Sequence, residues 1–71
     1  MSYKFTDREI EEIAVCKKTC SDRRALRRLE VLQMRAEGHH NKEISERTGY
    51  HTQYITVLVS RYKNQGLKSI L

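Results

Sequence analysis

The stretch from Asn41 to Arg61, NKEISERTGYHTQYITVLVSR, constrains the fold of this 71-residue chain more than any other segment. Each half has the apolar spacing of a short helix, and Gly49 lies between the two halves. Glycine accepts the positive φ with which one helix ends, so that a second helix can begin almost at once. The sequence therefore predicts two short helices joined by a very tight turn.

Residues at fixed offsets from Asn41 match the spacing of a helix-turn-helix motif. The motif needs apolar residues where its helices cross, a small residue that allows close approach, and glycine at the turn. The residues at these offsets are Ile44, Ser45, Gly49, Tyr50, Ile55 and Leu58. Any single match is weak, but the joint match favours this motif over an ordinary helical hairpin in a bundle.

The remainder of the chain also has a helical pattern, with no extended alternation of the kind seen in strands. Proline is absent, and each of the three glycines falls where a helix is expected to end. The sequence therefore predicts one all-α domain over 1–71, with four helices at about 6–18, 21–37, 41–48 and 52–64. The last two form the helix-turn-helix, in a homeodomain-like arrangement.

Start signals support the first two helices. Thr6 and Glu9 have the spacing of a capping box, and Phe5 and Ile10 that of a hydrophobic staple. Ser21 is the expected N-cap of the second helix.

Apolar stripes predict which residues form the core. In the second helix Val31 and Met34 are expected to lie to the sides of the stripe. The expected core residues are Ile10, Ile13 and Ala14, then Ala25, Leu26, Leu29, Leu32 and Ala36, then Ile55, Leu58, Val59 and Tyr62.

The charge distribution is uneven. The chain has a formal net charge of +5, and no Asp or Glu follows Glu46. Small basic domains bind nucleic acids, anionic membrane surfaces or acidic proteins, although a solvated basic surface is a common alternative. For the basic cluster in the second helix, a solvated face is slightly favoured over contact with phosphates or with an acidic partner. This cluster consists of Arg23, Arg24, Arg27 and Arg28.

Other classes of protein receive little support. No apolar run is long enough to span a bilayer, and no signal peptide is recognisable, so a soluble, cytoplasmic protein without membrane contact is expected. Cys16 and Cys20 are expected to be ordinary thiols, since no further residues have metal-ligand spacing relative to them. No catalytic constellation is apparent, so no enzyme activity, cofactor, metal or small-molecule substrate is predicted.

In a helix-turn-helix, the second helix enters the major groove of double-stranded DNA. Gln53 can pair with adenine, and Thr52 and Thr56 can form hydrogen bonds or contact a thymine methyl group. Arg47 is expected to pair with Glu43 or to bind a phosphate. The predicted phosphate contacts are Lys42, Tyr54, Ser60, Arg61 and Lys63.

The run RRALRRLEVLQMRAEGHHNKEISERTGY, followed by VSRYKNQGL, resembles the N-terminal helix-turn-helix domain of mariner-like insertion-sequence transposases. The matching features are the arginine-rich second helix, AEG before the motif, NKEI at its start and RYKNQGL at its end. The resemblance implies recognition of the inverted repeats at transposon ends. It also implies that base contacts come from the segment His51 through Val57. The predicted base contacts within it are His51, Thr52, Gln53, Thr56 and Val57.

The chain departs from this family at His40 and His51, where a capping serine or threonine is usual. Since histidine is a poor cap, Asn41 and Thr52 are expected to become the caps, each helix then starting one residue later. The chain is too short for the family's catalytic domain, so a fragment, a truncated remnant or a stand-alone regulator is expected. Ile70 and Leu71 are expected to be exposed.

Two alternative functions and the oligomeric state remain open from the sequence. AEGHHNKEI is also similar to the DNA-binding domain of LuxR-type response regulators, which implies a transcriptional regulator. A helical protein-interaction module is the alternative from another class. Both a monomer and a homodimer are compatible with the sequence.

Overall fold

The computed structural model describes residues 4–71, which contain four α-helices and no strand. The helices are α1 (Asp7–Thr19), α2 (Arg23–Ala36), α3 (Asn41–Thr48) and α4 (Thr52–Gln65), followed by a 3₁₀ helix at Leu67–Ser69. The predicted all-α class is confirmed, and the predicted helix bounds differ from the observed ones by at most two residues. The first three residues of the predicted 1–71 domain lie outside the described part.

The predicted start of α1 is confirmed in part. The Glu9 amide donates to the Thr6 hydroxyl at 3.1 Å, and the Thr6 amide donates to the Glu9 carboxylate at 2.9 Å, which completes the capping box. Ile10, which was expected in the core and in a hydrophobic staple with Phe5, is 40% exposed. Phe5 instead stacks on Tyr62 of α4, with 5.9 Å between the ring centroids. This contact connects the beginning of the described chain to α4.

The predicted cap of α2 is also wrong. Asp22, not Ser21, is the N-cap, and its carboxylate accepts a hydrogen bond from the Arg24 amide at 2.9 Å. A carboxylate is well suited to this position because it also interacts favourably with the positive end of the helix dipole.

The core is centred on α2, which contacts each of the other three α-helices. The sequence placed Val31 and Met34 at the sides, but Val31 is fully buried and Met34 nearly so. Leu26 and Ala36, which were expected in the core, are only partly buried. A helix surrounded on several sides buries a wider stripe than a helix packed on one side. The buried core consists of Ile13, Ala25, Leu29, Val31, Leu32, Met34, Ile44, Ile55, Leu58, Val59, Tyr62 and Ile70.

The turn between α3 and α4 has the predicted geometry. Gly49 has φ 82°, and its amide donates to the Ser45 carbonyl at 2.8 Å, which ends α3 in the left-handed conformation. Ile44, Ile55 and Leu58 are fully buried where the two helices cross. Tyr50 is half-buried and packs against the same core. The short turn therefore fixes α4 across the other helices.

The end of the chain packs differently from the prediction. Ile70, which was expected to be exposed, is fully buried, because the 3₁₀ helix turns the chain back onto α4. Leu71 is 58% exposed, as expected. Across residues 4–71, no helix combines the length and apolar composition that crossing a bilayer demands.

Candidate nucleic-acid interface

Helix α4 has one buried and one exposed face. Ile55, Leu58, Val59 and Tyr62 point into the core, and the side chains between them face solvent. All five residues predicted to contact bases are exposed on or just before this helix. They are His51, Thr52, Gln53, Thr56 and Val57. We call the exposed side of α4, from His51 to Gln65, the outer face.

The outer face begins at a histidine cap. His51 is the N-cap of α4, and its Nδ1 accepts a hydrogen bond from the Gln53 amide at 3.3 Å. His40 is likewise the N-cap of α3, where its amide donates to the Glu43 carboxylate at 3.2 Å. The expected shift of the caps to Asn41 and Thr52 is therefore wrong. At the start of α4, a neutral imidazole nitrogen can accept the hydrogen bond of the cap. At the start of α3, the Glu43 carboxylate accepts the hydrogen bond from the His40 amide.

A hydrogen bond between α3 and α4 holds the middle of the outer face. The side-chain amide of Asn41 donates to the Thr56 hydroxyl at 2.8 Å. The same hydroxyl lies 3.3 Å from the Thr52 carbonyl, to which it donates. Thr56 thus uses its hydroxyl within the domain and retains its methyl group for an external contact. The sequence pattern marked Asn41 only as a helix-start residue and carried no signal of this contact with α4.

A shallow groove of about 410 Å³ continues the outer face toward the end of α4. Its lining residues are Thr56, Val57, Ser60, Arg61, Asn64 and Gln65. Asn64 and Gln65 were not among the predicted contacts. The sequence did indicate this extension of the outer face, since Thr56, Ser60 and Asn64 follow one another at four-residue intervals and so lie on one side of the helix.

Two tyrosines support the beginning of α4. The rings of Tyr50 and Tyr54 pack edge to face with their centroids 5.0 Å apart. Tyr54 is 36% exposed, so part of its ring remains available beside the outer face. Tyr54 therefore packs against Tyr50 and still has an exposed part that could contact a phosphate.

The cations predicted to bind phosphates differ in whether they form ion pairs within the domain. Lys42 and Arg61 are exposed, and neither takes part in an ion pair among residues 4–71. The ammonium group of Lys63 lies 2.7 Å from the Glu9 carboxylate and 2.8 Å from the Lys4 carbonyl. It also lies 5.1 Å from the centroid of the Phe5 ring. This pairing weighs against the phosphate contact predicted for Lys63.

The ion pair affects the acidity of Glu9. Partial burial raises the pKa of this carboxyl, but hydrogen bonds from Lys63 and Thr6 and the positive charge of Lys63 outweigh it. The net effect is a pKa below the ordinary value of 4.5. Glu9 therefore stays ionised at neutral pH and keeps Lys63 at the junction of α1 and α4.

Arg47 pairs with a different residue from the one predicted. Its Nε lies 3.5 Å from the Glu30 carboxylate of α2, and within residues 4–71 it forms no ion pair with Glu43. Glu43 instead faces His39, at 3.5 Å from Nδ1, and accepts from the His40 amide. The hydrogen bond from His40, followed by the contact with His39, lowers the pKa of Glu43. Arg47 thus connects α3 to α2.

Comparison with known proteins identifies the type of domain. A family model described as a homeodomain-like domain matches residues 22–71, which covers α2, α3, α4 and the 3₁₀ helix. No curated protein and no solved structure gives a significant match to the chain. In domains of this architecture, a helix equivalent to α4 enters the major groove of DNA.

Proposed function

The chain belongs to the family of homeodomain-like domains, which are DNA-binding modules, and from this premise we propose that it binds double-stranded DNA sequence-specifically without catalysing a reaction. In this proposal α4 lies in the major groove with its outer face against the base edges. The observation that carries the proposal is the composition of that face. It is exposed, rich in hydrogen-bonding side chains and free of carboxylates, since no Asp or Glu follows Glu46.

The start of α4 supplies the base contacts in this proposal. Gln53 is exposed, and its side-chain amide carries the donor and acceptor that match the edge of adenine. Thr56 and Val57 offer methyl groups that suit the thymine methyl, since the Thr56 hydroxyl is already hydrogen-bonded. His51 and Thr52 lie at the tip of the helix, where they reach the same or the adjacent base pair.

Contacts to the DNA backbone give affinity but no sequence information. Lys42 and Arg61 are the cations best placed for this role, because both are exposed and unpaired within the described chain. Ser60 and Tyr54 are polar neighbours that can donate to a phosphate oxygen. Lys63 can join them only by leaving Glu9, so it is the least favoured of the predicted phosphate contacts.

The target that we propose is the terminal inverted repeat of a transposon. Support comes from the resemblance of the segments RRALRR, AEG, NKEI and RYKNQGL to mariner-like insertion-sequence transposases. A stand-alone transcriptional regulator is the second candidate, supported by the similarity of AEGHHNKEI to LuxR-type domains. Both candidates use the same outer face, and they differ in the genomic position of the bound sequence.

A two-step experiment tests the proposal. Fluorescence anisotropy with a random duplex should give a dissociation constant on the order of 10⁻⁴ to 10⁻⁶ M that weakens with added salt. Fragmented genomic DNA from the source organism is then selected on the immobilised domain and sequenced. Enriched sites that occur as inverted pairs around transposase genes support the transposon target, and sites upstream of unrelated genes support a regulator. Absence of any duplex binding at low salt contradicts DNA binding itself.

A further inference from the structure

A basic surface at the start of α2 lies outside the outer face. Arg23, Arg24 and Arg27 are exposed and, together with Tyr50, line a depression of about 120 Å³. Arg23 and Arg27 are four residues apart in one helix, so their side chains project from the same side. We call these four residues the arginine depression.

The charge of the arginine depression is not neutralised within the described chain. None of the ion pairs among residues 4–71 involves Arg23, Arg24 or Arg27. Asp22 is the nearest carboxylate in the sequence, and it is engaged as the N-cap through the Arg24 amide. Several exposed guanidinium groups without a counter-charge attract an anion from outside the domain.

Tyr50 connects the arginine depression to the DNA-reading helix. It lines the depression and packs edge to face against Tyr54, which directly follows Gln53 in the first turn of α4. The two surfaces are thus continuous around the beginning of α4. DNA seated on the outer face would carry its sugar-phosphate backbone past this corner of the domain.

We propose that Arg23 and Arg27 bind a phosphate of the DNA backbone beside the major groove that α4 enters. This inference rests on the proposed function, and it adds a second contact region on α2. A guanidinium group donates two parallel N–H bonds to phosphate oxygens, which suits arginine better than lysine to this contact. Tyr50, which lines the depression, is half-buried against the core, so the arginines approach the phosphate beside a fixed surface.

The salt dependence of binding tests this assignment. Each phosphate contact contributes about −0.9 to the slope of log K against log salt concentration on duplex DNA. Together with the contacts of Lys42 and Arg61, the phosphate held by the two arginines gives a slope of about −2.7, and Arg23→Gln/Arg27→Gln should change it to about −1.8. The matched control, Arg8→Gln/Lys18→Gln, removes the same charge from exposed positions of α1 and should leave the slope near the wild-type value.

The assignment predicts that the double glutamine variant weakens binding equally on random and selected duplexes. A wild-type slope in this variant overturns the inference, while intact sequence discrimination would leave the proposed function standing.

A parallel titration with poly-glutamate measures whether the arginine depression binds an acidic protein surface instead of DNA. Loss of poly-glutamate binding with an unchanged DNA slope also overturns the inference. If the wild-type domain binds no duplex, the proposed function and this inference are both wrong.

Discussion

The side chain of Asn41 donates a hydrogen bond to the Thr56 hydroxyl at 2.8 Å, which ties the first residue of α3 to the outer face of α4. Thr56 is exposed, so its rotamer is not fixed by the core. The bond from Asn41 and the bond to the Thr52 carbonyl together orient its methyl group. A residue of α3 thus positions the side chain of Thr56, with which α4 is proposed to contact a base.

Replacing Asn41 with alanine should reduce sequence discrimination more than stability. The lost bond is exposed, so the free energy of unfolding should fall by about 1 kcal/mol or less. The preferred duplex should lose affinity relative to a random duplex, because Thr56 gains rotamer freedom. Anisotropy titrations with both duplexes measure this ratio. Lys42→Ala is the control and should weaken both duplexes alike. An unchanged ratio in Asn41→Ala would show that Thr56 needs no positioning.

Removing the carboxylate of Glu9 should destabilise the domain in a pH-dependent manner. The folded pKa of Glu9 is lowered, so its stabilising effect is present above the ordinary value of 4.5 and is lost as pH falls through the lowered pKa. Glu9→Gln should therefore cost about 1 kcal/mol at pH 7 and progressively less under acid conditions. Thermal melts of both proteins between pH 7 and pH 3 measure the difference.

Glu11→Gln is the matched control for this experiment, since Glu11 is an exposed carboxylate of the same helix. Its effect on stability should be small at every pH. A difference between wild type and Glu9→Gln that stayed constant with pH would contradict the assigned ion pair.

Serine at position 51 should stabilise α4. The Nδ1 atom of His51 accepts from the Gln53 amide at 3.3 Å, which is long for such a bond, and histidine is not a preferred N-cap. His51→Ser should raise the free energy of unfolding by about 0.5–1 kcal/mol, whereas His51→Ala should lower it. Urea denaturation at pH 8 compares the three proteins. Equal stabilities for serine and alanine at this position would mean that the cap contributes nothing.

Gly49 is required for its backbone conformation rather than for space. Its φ is 82°, and nothing lies within 4 Å of where a Cβ would be placed. Gly49→Ala should therefore cost about 1–2 kcal/mol through the left-handed backbone alone. Gly49→Asn should cost less, because asparagine tolerates this conformation. Denaturant melts test the order, and a larger loss with asparagine would indicate a steric conflict instead.

Local sequence patterns were sufficient to predict the helices and the turn of this domain. Gly49, together with Ile44, Ile55 and Leu58, placed α3 and α4 correctly, because short-range spacing determines both the turn and the helix crossing. The capping box at Thr6 was predicted for the same reason. The exposure of the proposed base contacts on α4 followed from the position of the apolar stripe.

Contacts between distant parts of the chain could not be predicted in the same way. Phe5 meets Tyr62, and Glu9 meets Lys63, across more than fifty residues of sequence. The pairing of Arg47 with Glu30 likewise depends on how α3 packs against α2, whereas the sequence suggested Glu43 of the same helix or a DNA phosphate. The burial of Val31 arises because α2 is enclosed by three helices, a property of the assembled fold.

The measurement that tests the central claim most directly is sequence discrimination by Gln53→Ala/Thr56→Ala. A preferred duplex is first selected in vitro with the wild-type domain, and dissociation constants are then measured on that duplex and on a random one. Since a good base contact is worth roughly 1–3 kcal/mol, the ratio of the two constants should fall at least about tenfold in the variant. Binding to the random duplex should change little, because backbone contacts are kept. A variant that folds and keeps the wild-type ratio would contradict base reading by the outer face of α4.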